Sequence, residues 1–271
     1  MITFEIKDEA FGENRLLGYL FYFERSKRFF TELLNTVDEW TAPFILSGFV
    51  KNGIFSIGSE WSMKFVCQRI VPPDRQNLGE ILKANKLKEY DEYKLLLLSN
   101  GRCAQDDLSV KRVIDADFPQ EIEERLKRKV KDVLPMGNNR LVIFFRDGKQ
   151  VETDINKLRK DDISFNRILS DPEVFDLVKV VPGGNGVEWG RERTIPAEEL
   201  YSEQKITGLS YPEMLEFIAK RTIDTTEAAG ILNCSRQYIS QLVAQKKVVP
   251  VRSESNNNLF LRSDLESEII F

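Results

Sequence analysis

Residues 221–271 read RTIDTTEAAGILNCSRQYISQLVAQKKVVPVRSESNNNLFLRSDLESEIIF, and the order of signals inside this stretch governs the reading of the whole chain. Asp224 stands three positions before Glu227, the spacing of a reciprocal capping box, so a helix begins at Thr225. Ala228 and Ala229 are small enough for a second helix to approach closely, and Leu232 anchors the pair. Asn233-Cys234 supplies a tight turn, with Cys234 as a small buried apolar residue. Ser235 caps a second helix running from Arg236 to Lys246. Segments 248–252 and 259–262 then read as paired strands around the polar loop 253–258. Ser263, with Glu266 three residues on, predicts the cap of a closing helix.

Two helices, a hairpin and a closing helix are the order of a winged helix-turn-helix. On the second helix Ile239, Leu242 and Val243 share an inward face. Arg236, Gln237, Ser240 and Gln241 fall outward in the N-terminal half, the part of a recognition helix that reaches base edges. Arginine pairs bidentately with guanine and glutamine with adenine, so these residue types suit direct readout. Tyr238 is open between phosphate contact and packing. Lys246, Lys247, Arg252 and Arg262 flank the hairpin where phosphates would run, and Thr225, Ser235 and Asn257 complete the candidate DNA contacts. Taken singly these are ordinary polar surface positions; the capped frame makes them a reader. TTEAAGILNCSRQYISQLVAQKKVVPVR (225–252) followed by LFLRSDLE (259–266) resembles the excisionase/MerR-like helix-turn-helix family. The loop SESNNN departs from the glycine-bearing turn usual there.

Composition narrows what else the chain can do. It has 271 residues, 42% hydrophobic and 30% charged, which suits a multidomain globular protein with real cores. It contains no histidine, which removes serine–histidine and cysteine–histidine pairs, histidine-ligated metals and histidine acid–base work. Cys67, Cys103 and Cys234 are odd in number and widely spaced, so free thiols in a reducing cytoplasm are expected, not a zinc ribbon. No catalytic residues, no metal and no cofactor are expected. The acidic start MITFEIKDEAFGE lacks a secretory pattern, and no apolar run approaches a membrane span, so no membrane is expected. The net charge is −4, yet residues 221–262 hold six bases (Arg221, Arg236, Lys246, Lys247, Arg252, Arg262) against three acids (Asp224, Glu227, Glu254), a local +3. That asymmetry marks where an anionic partner would sit, and a solvated face gives the same count.

The remaining chain predicts an α+β protein of several domains: a mixed α/β unit over 1–134, a small α+β unit of two hairpins and short helices over 140–202, a connecting helix over 203–220, and the winged helix-turn-helix over 221–271. Arg15–Glu24, rich in aromatics around Gly18, fits a strand, while 29–34 reads equally as strand or short helix. Helices are expected over 42–50, over 59–70 with Ser59 as cap, from an Asp74 cap to Lys86, and over 89–99. The following Gly101-Arg102-Cys103-Ala104-Gln105-Asp106-Asp107 reads as a helix end and a solvated turn with Cys103 packed inside. The other reading is a partner contact or a polar site on Arg102, Asp106 and Asp107. QRIVPPDRQNL, KEYDEYKLLLLS and GRCAQDD, within 68–107, resemble the end of the N-terminal subdomain of HipA-type toxin kinases; no kinase catalytic domain follows, so no activity is implied.

DFPQEIEERLKRKVKDV (117–133) has Ile122, Leu126, Val130 and Val133 at helical spacing and predicts one amphipathic helix, followed by a boundary loop at 135–139. Asp147-Gly148 predicts a hairpin between 141–145 and 150–155. A helix over 156–169, a helical turn after Asp171-Pro172, and a second hairpin around Gly183-Gly184-Asn185-Gly186 follow. That glycine loop lacks the GK[ST] and following helix of a phosphate loop and reads as a plain turn. DGK, FNRILSDPEVFDLVKV, VEWG and IPAEELY, in this order within 140–201, resemble the bacterial domain of unknown function 2442, which implies a small α+β unit often linked to DNA-binding domains and no catalysis. Gly190 stands where that family usually has proline after its tryptophan.

The sequence therefore predicts a sequence-specific reader of double-stranded DNA, a cytoplasmic transcriptional regulator acting as a homodimer on palindromic sites, with a possible protein partner through the N-terminal unit. The alternatives are an antitoxin-like interaction module that represses its own operon and an excisionase-like recombination directionality factor.

Overall fold

The computed structural model describes residues 1–10, 14–190, 193–203, 208–254 and 257–267, with the side chains of Glu254 and Asn257 left aside. The chain has both helices and strands and forms two compact units, residues 1–123 and 124–271.

Unit 1 is built on one antiparallel sheet. Its strands are β1 (Ile2–Asp8), β2 (Arg15–Phe23), β3 (Arg28–Leu33), β4 (Ser56–Ile57) and β5 (Leu108–Val113), in the order β4-β3-β2-β1-β5. The segment left open at 29–34 is thus a strand, and Phe29 and Leu33 are fully buried on it. Gly18 is needed inside β2 because a Cβ there would lie 2.3 Å from the Glu32 carbonyl oxygen of β3. Helices α1 (Ser47–Lys51, after a 3-10 turn over Phe44–Leu46), α2 (Ser59–Cys67), α3 (Leu78–Ala84) and α4 (Glu92–Ser99) belong to this unit. Four starts differ from expectation: the helix expected from 42 begins at Ser47, after the 3-10 turn. Ser59 is the first helical residue of α2, preceded by Gly58 with no side-chain cap. α3 begins after Asn77, well past Asp74. α4 starts at Glu92, where the Asp91 carboxylate accepts from the Lys94 backbone N–H at 3.0 Å.

The helix expected over 117–133 stops early. α5 covers Gln120–Lys127, and Val130–Met136 is a strand, β6. The physical reason is burial on two sides: Val130 and Val133 join one core while Leu134 and Met136 join another. A strand covered on both faces is a continuous apolar run, and its first residues fell by chance on a helical period. The expected boundary loop is the turn of a hairpin, with Asn138 and Asn139 at φ 63° and 57°, the left-handed pair that tight hairpins require. It joins β6 to β7 (Arg140–Phe145), which pairs with β8 (Gln150–Asp154) across the predicted Asp-Gly turn.

The helix expected over 156–169 is broken into α6 (Ile155–Leu158), a 3-10 turn (Ile163–Phe165) and α7 (Asn166–Ser170). Asp162 causes the restart by accepting the Ser164 backbone N–H at 3.0 Å. α8 (Pro172–Phe175), capped by Asp171, leads to β9 (Lys179–Val180), β10 (Gly186–Trp189), β11 (Arg193–Pro196) and α9 (Ala197–Tyr201); the sheet order is β11-β10-β9. Trp189 sits between Phe165 and Phe175 and donates its indole N–H to the Phe175 carbonyl at 2.8 Å. The Gly183-Gly184 turn is buried against β6: a Cβ on Gly184 would lie 2.3 Å from the Val130 carbonyl oxygen.

α10 (Tyr211–Arg221) packs Phe217 edge-on against Phe144 of β7 and ends at β12 (Thr222–Ile223). Then come α11 (Thr225–Ile231), α12 (Arg236–Ala244), β13 (Arg252–Glu254), β14 (Asn257–Leu261) and α13 (Arg262–Glu266). β14 is central in a small antiparallel sheet, β12-β14-β13, so the expected hairpin gains a third strand that the sequence reading did not see. Two limits move: β13 starts at Arg252, not at 248, and β14 starts at Asn257, not at 259; the loop positions 255–256 lie outside the described residues. Ser263 is no cap; α13 begins one residue before it, and its hydroxyl is buried with no hydrogen-bond partner. Among the described residues no helix is long and apolar enough to cross a membrane.

Candidate nucleic-acid interface

The local order of caps sets the geometry of residues 222–267. Asp224 accepts from the backbone N–H groups of Thr226 and Glu227 at 2.7 and 2.8 Å, and Glu227 returns the bond to the Asp224 N–H at 3.1 Å. α11 thus starts with its orphan donors satisfied. Asn233, at φ 49°, turns the chain, and Ser235 accepts from the Tyr238 N–H at 3.2 Å to start α12. Ile239 and Leu242 go inward with Ala228, Ala229, Val248, Phe260 and Leu265, with Val243 packed against them.

That packing leaves Arg236, Gln237, Ser240 and Gln241 exposed together on the outer side of α12. The Ser240 hydroxyl donates back to the Arg236 carbonyl at 3.3 Å, so its second role as an acceptor is the one left for a ligand. Tyr238 is half exposed on the same helix, which favours contact over core packing. Ser235 is committed to its cap, and Thr225, the first residue of α11, is half-buried. Lys246, at φ 56°, and Lys247 are exposed just beyond α12. Arg252 is exposed at the start of β13. Asn257 opens β14, and its side chain lies outside the described residues.

Two of the six bases counted in this stretch are spent internally. Arg262 opens α13 and not the hairpin; its guanidinium lies 3.6 Å from Glu266. Arg221 is buried, with its guanidinium on the Asp132 carboxylate of β6 and 3.9 Å from Glu266. The net local charge of the sequence therefore overstates the free positive surface. What stays exposed and basic is Arg236, Lys246 and Lys247; Arg252 is exposed too, but engaged within the protein.

The other polar cluster, in unit 1, is an internal tie. Arg69, 2% exposed, grips Asp106 with both guanidinium ends at 3.0 and 2.6 Å and donates to the Gly101 carbonyl at 3.1 Å. Burial would raise the Asp106 carboxyl, but the Arg69 hydrogen bonds and charge outweigh it and the net shift is downward. Arg102 pairs with Glu9, whose carboxylate also accepts from Lys111 at 2.6 Å and Ser109 at 2.7 Å. The Lys111 and Ser109 hydrogen bonds hold Glu9 at about 2. Asp107 offers its carbonyl to the Glu9 N–H at 3.0 Å. Cys103 is only half-buried here, where the turn reading expected it packed inside. The sequence reading missed Arg69 and Glu9; the signal for Arg69 was an arginine set between Val66 and Ile70, where only a partnered charge can be buried.

No protein-family model, no curated protein and no solved structure matches the chain.

Proposed function

We propose that the chain is a sequence-specific double-stranded DNA-binding protein, a transcriptional regulator in which residues 222–267 form a winged helix-turn-helix of the excisionase/MerR type. The observation that carries the reading is the outer face of α12. Arg236, Gln237, Ser240 and Gln241 are exposed side by side on a capped helix whose opposite side packs Ile239 and Leu242 into the core. The helix enters the major groove with this half, Lys246, Lys247 and Arg252 meet phosphates, and the β13–β14 hairpin follows the backbone. Palindromic sites call for two copies. The second copy has an apolar stripe to meet: Tyr211, Met214, Leu215 and Ile218 are 68%, 41%, 47% and 48% exposed along one side of α10, a pattern that is its own complement under a two-fold axis.

Gel shift and footprinting on the chain's own upstream region test the reading, with Arg236→Ala and Gln237→Ala as probes. Each lost base contact costs about 1–3 kcal/mol of binding. Full-length protein that binds that DNA and genomic fragments no better than random duplex refutes the proposal. Leu215→Glu tests the dimer by sedimentation.

A second reading has its own observation. Trp40 and Phe44 in unit 1 are 86% and 91% exposed, which favours a protein partner and hence the antitoxin-like role. Co-purification of a neighbouring gene product, lost in Trp40→Ala, separates that reading from a free-standing regulator.

A further inference from the structure

Behind the carboxyl end of α12 the chain forms a cleft of about 370 Å³. Lys131, Arg146, Lys246 and Lys247 line it, drawn from β6, the β7–β8 turn and the residues after α12. Among the described lining residues Asp264 is the only carboxylate. None of the four cations lies within ion-pair distance of a described carboxylate, although the charge of Lys131 acts on Asp264 from farther away. This contrasts with Arg69 and Arg221, the buried arginines among the described residues, each of which rests on an aspartate, whereas Arg146 is half-buried.

Arg146 makes the contrast sharpest. It donates to the Gly183 carbonyl at 2.8 Å, and burial, uncompensated by any acid, lowers its guanidinium to about 10. A desolvated cation without a counter-charge is unfavourable, and proteins keep such groups where an anion arrives. A second, independent signal is Ser263. It lines the same cleft, is 2% exposed, and its hydroxyl has no hydrogen-bond partner. Val130 and Val248 give the floor an apolar part, so the cleft suits a body as well as a charge. Its volume is at the small end for ligand sites, which limits the occupant to a small molecule.

We propose that this cleft binds a small organic phosphate, its phosphoryl group held by Arg146, Lys131 and the Ser263 hydroxyl and its body resting on Val130 and Val248. Lys246 and Lys247 close the rim. If the DNA-binding reading holds, occupancy draws these two lysines away from DNA phosphates, and the ligand acts as an effector that weakens DNA binding. That coupling rests on the proposed function; the binding of the ligand does not.

The test is calorimetric titration of the full chain, without DNA and at fixed ionic strength, with inorganic phosphate and adenosine monophosphate as probes. Saturable binding of either probe is expected, weakened about tenfold by Arg146→Met and by Ser263→Ala. Ser263→Ala only removes an unpartnered hydroxyl, so it keeps the test open should Arg146→Met fail to fold. Absence of saturable binding overturns the proposal, as does binding that both variants leave intact. If the DNA-free chain binds neither probe while Arg146→Met weakens duplex binding, the cleft takes its phosphate from the DNA backbone, and the small-molecule proposal falls. Gel shifts with and without adenosine monophosphate then read the coupling: a chain that binds the probe but no DNA keeps the site and loses the regulator reading.

Discussion

Unit 1 and the carboxyl-terminal module solve stability in opposite ways. Unit 1 fills one continuous core with Phe4, Phe29, Phe65, Tyr22 and many aliphatic residues around a five-stranded sheet. Among the described residues the module over 222–267 has a core of Ile223, two alanines, Ile239, Leu242, Val248, Phe260 and Leu265, with a single aromatic ring. Small alanines let α11 and α12 approach closely, but they bury little area, so the module draws on caps and on the Arg221–Asp132 pair with β6. The difference shows where the module's stability resides: in local capping and an ion pair with the neighbouring strand β6, not in bulk.

The harshest way to break this comparison is to remove the one ring. Phe260 is fully buried, and Phe260→Ala costs about 3–5 kcal/mol through lost transfer energy and the cavity left behind. In so small a core that loss unfolds residues 222–267 while amides of β1 and β2 keep their protection. Hydrogen exchange resolves the two regions; equal loss of protection in both would falsify the idea that unit 1 stands by itself.

The ion pair with β6 is the next largest effect. Asp132→Ala leaves the Arg221 guanidinium buried without its acid and costs about 3 kcal/mol, the low end for a broken buried pair because Glu266 remains 3.9 Å away. The module's thermal transition falls, and Arg221→Met with Asp132→Leu recovers most of it. Failure of that double replacement to recover would show that the pair supplies more than compensated charge.

What the sequence reveals of the two regions follows from the reach of each interaction. The caps at Asp224, Glu227 and Ser235, the Asp147-Gly148 hairpin and the inward faces of α12 are set by neighbours three or four residues apart, and they are readable. The outer-face residues of α12 were legible for the same reason. Arg69 and Asp106 lie 37 residues apart, and Arg221 and Asp132 farther still; no period or cap signals such pairs. β6 was misread because burial on two faces erases the alternation that identifies a strand. Ser263 was misread because its neighbours mimic a capping box while packing places its hydroxyl inside. Lys131, Arg146 and Lys246 belong to three separate segments, so their cleft has no linear trace.

Local capping itself is the third lever, and a smaller one. Asp224→Ala removes the acceptor for two backbone N–H groups and costs about 1 kcal/mol. Because the module's core is small, this shifts its melting while leaving that of unit 1 in place. Asp224→Asn retains a capping oxygen and should restore most of the loss; an alanine variant as stable as the parent would mean that packing alone sets the start of α11.

The smallest effect probes unit 1 from its surface. Glu9 gathers Arg102, Lys111 and Ser109 and titrates near 2, below the ordinary 4.5 of a glutamate. A carboxyl depressed in the folded state stabilises it above the unfolded value and loses that contribution as pH falls through the folded one. The window is therefore from about 4.5 down to about 2, and stability declines with acid across it. Asp106, also shifted downward, adds to the same slope. Glu9 is screened by solvent, so its share is modest. Glu9→Gln should flatten the acid side of the urea-midpoint profile of unit 1 while leaving the profile of the carboxyl-terminal module as it was. A variant profile that overlays the parent's would place the acid sensitivity of unit 1 in the Arg69–Asp106 tie, the buried member of the two.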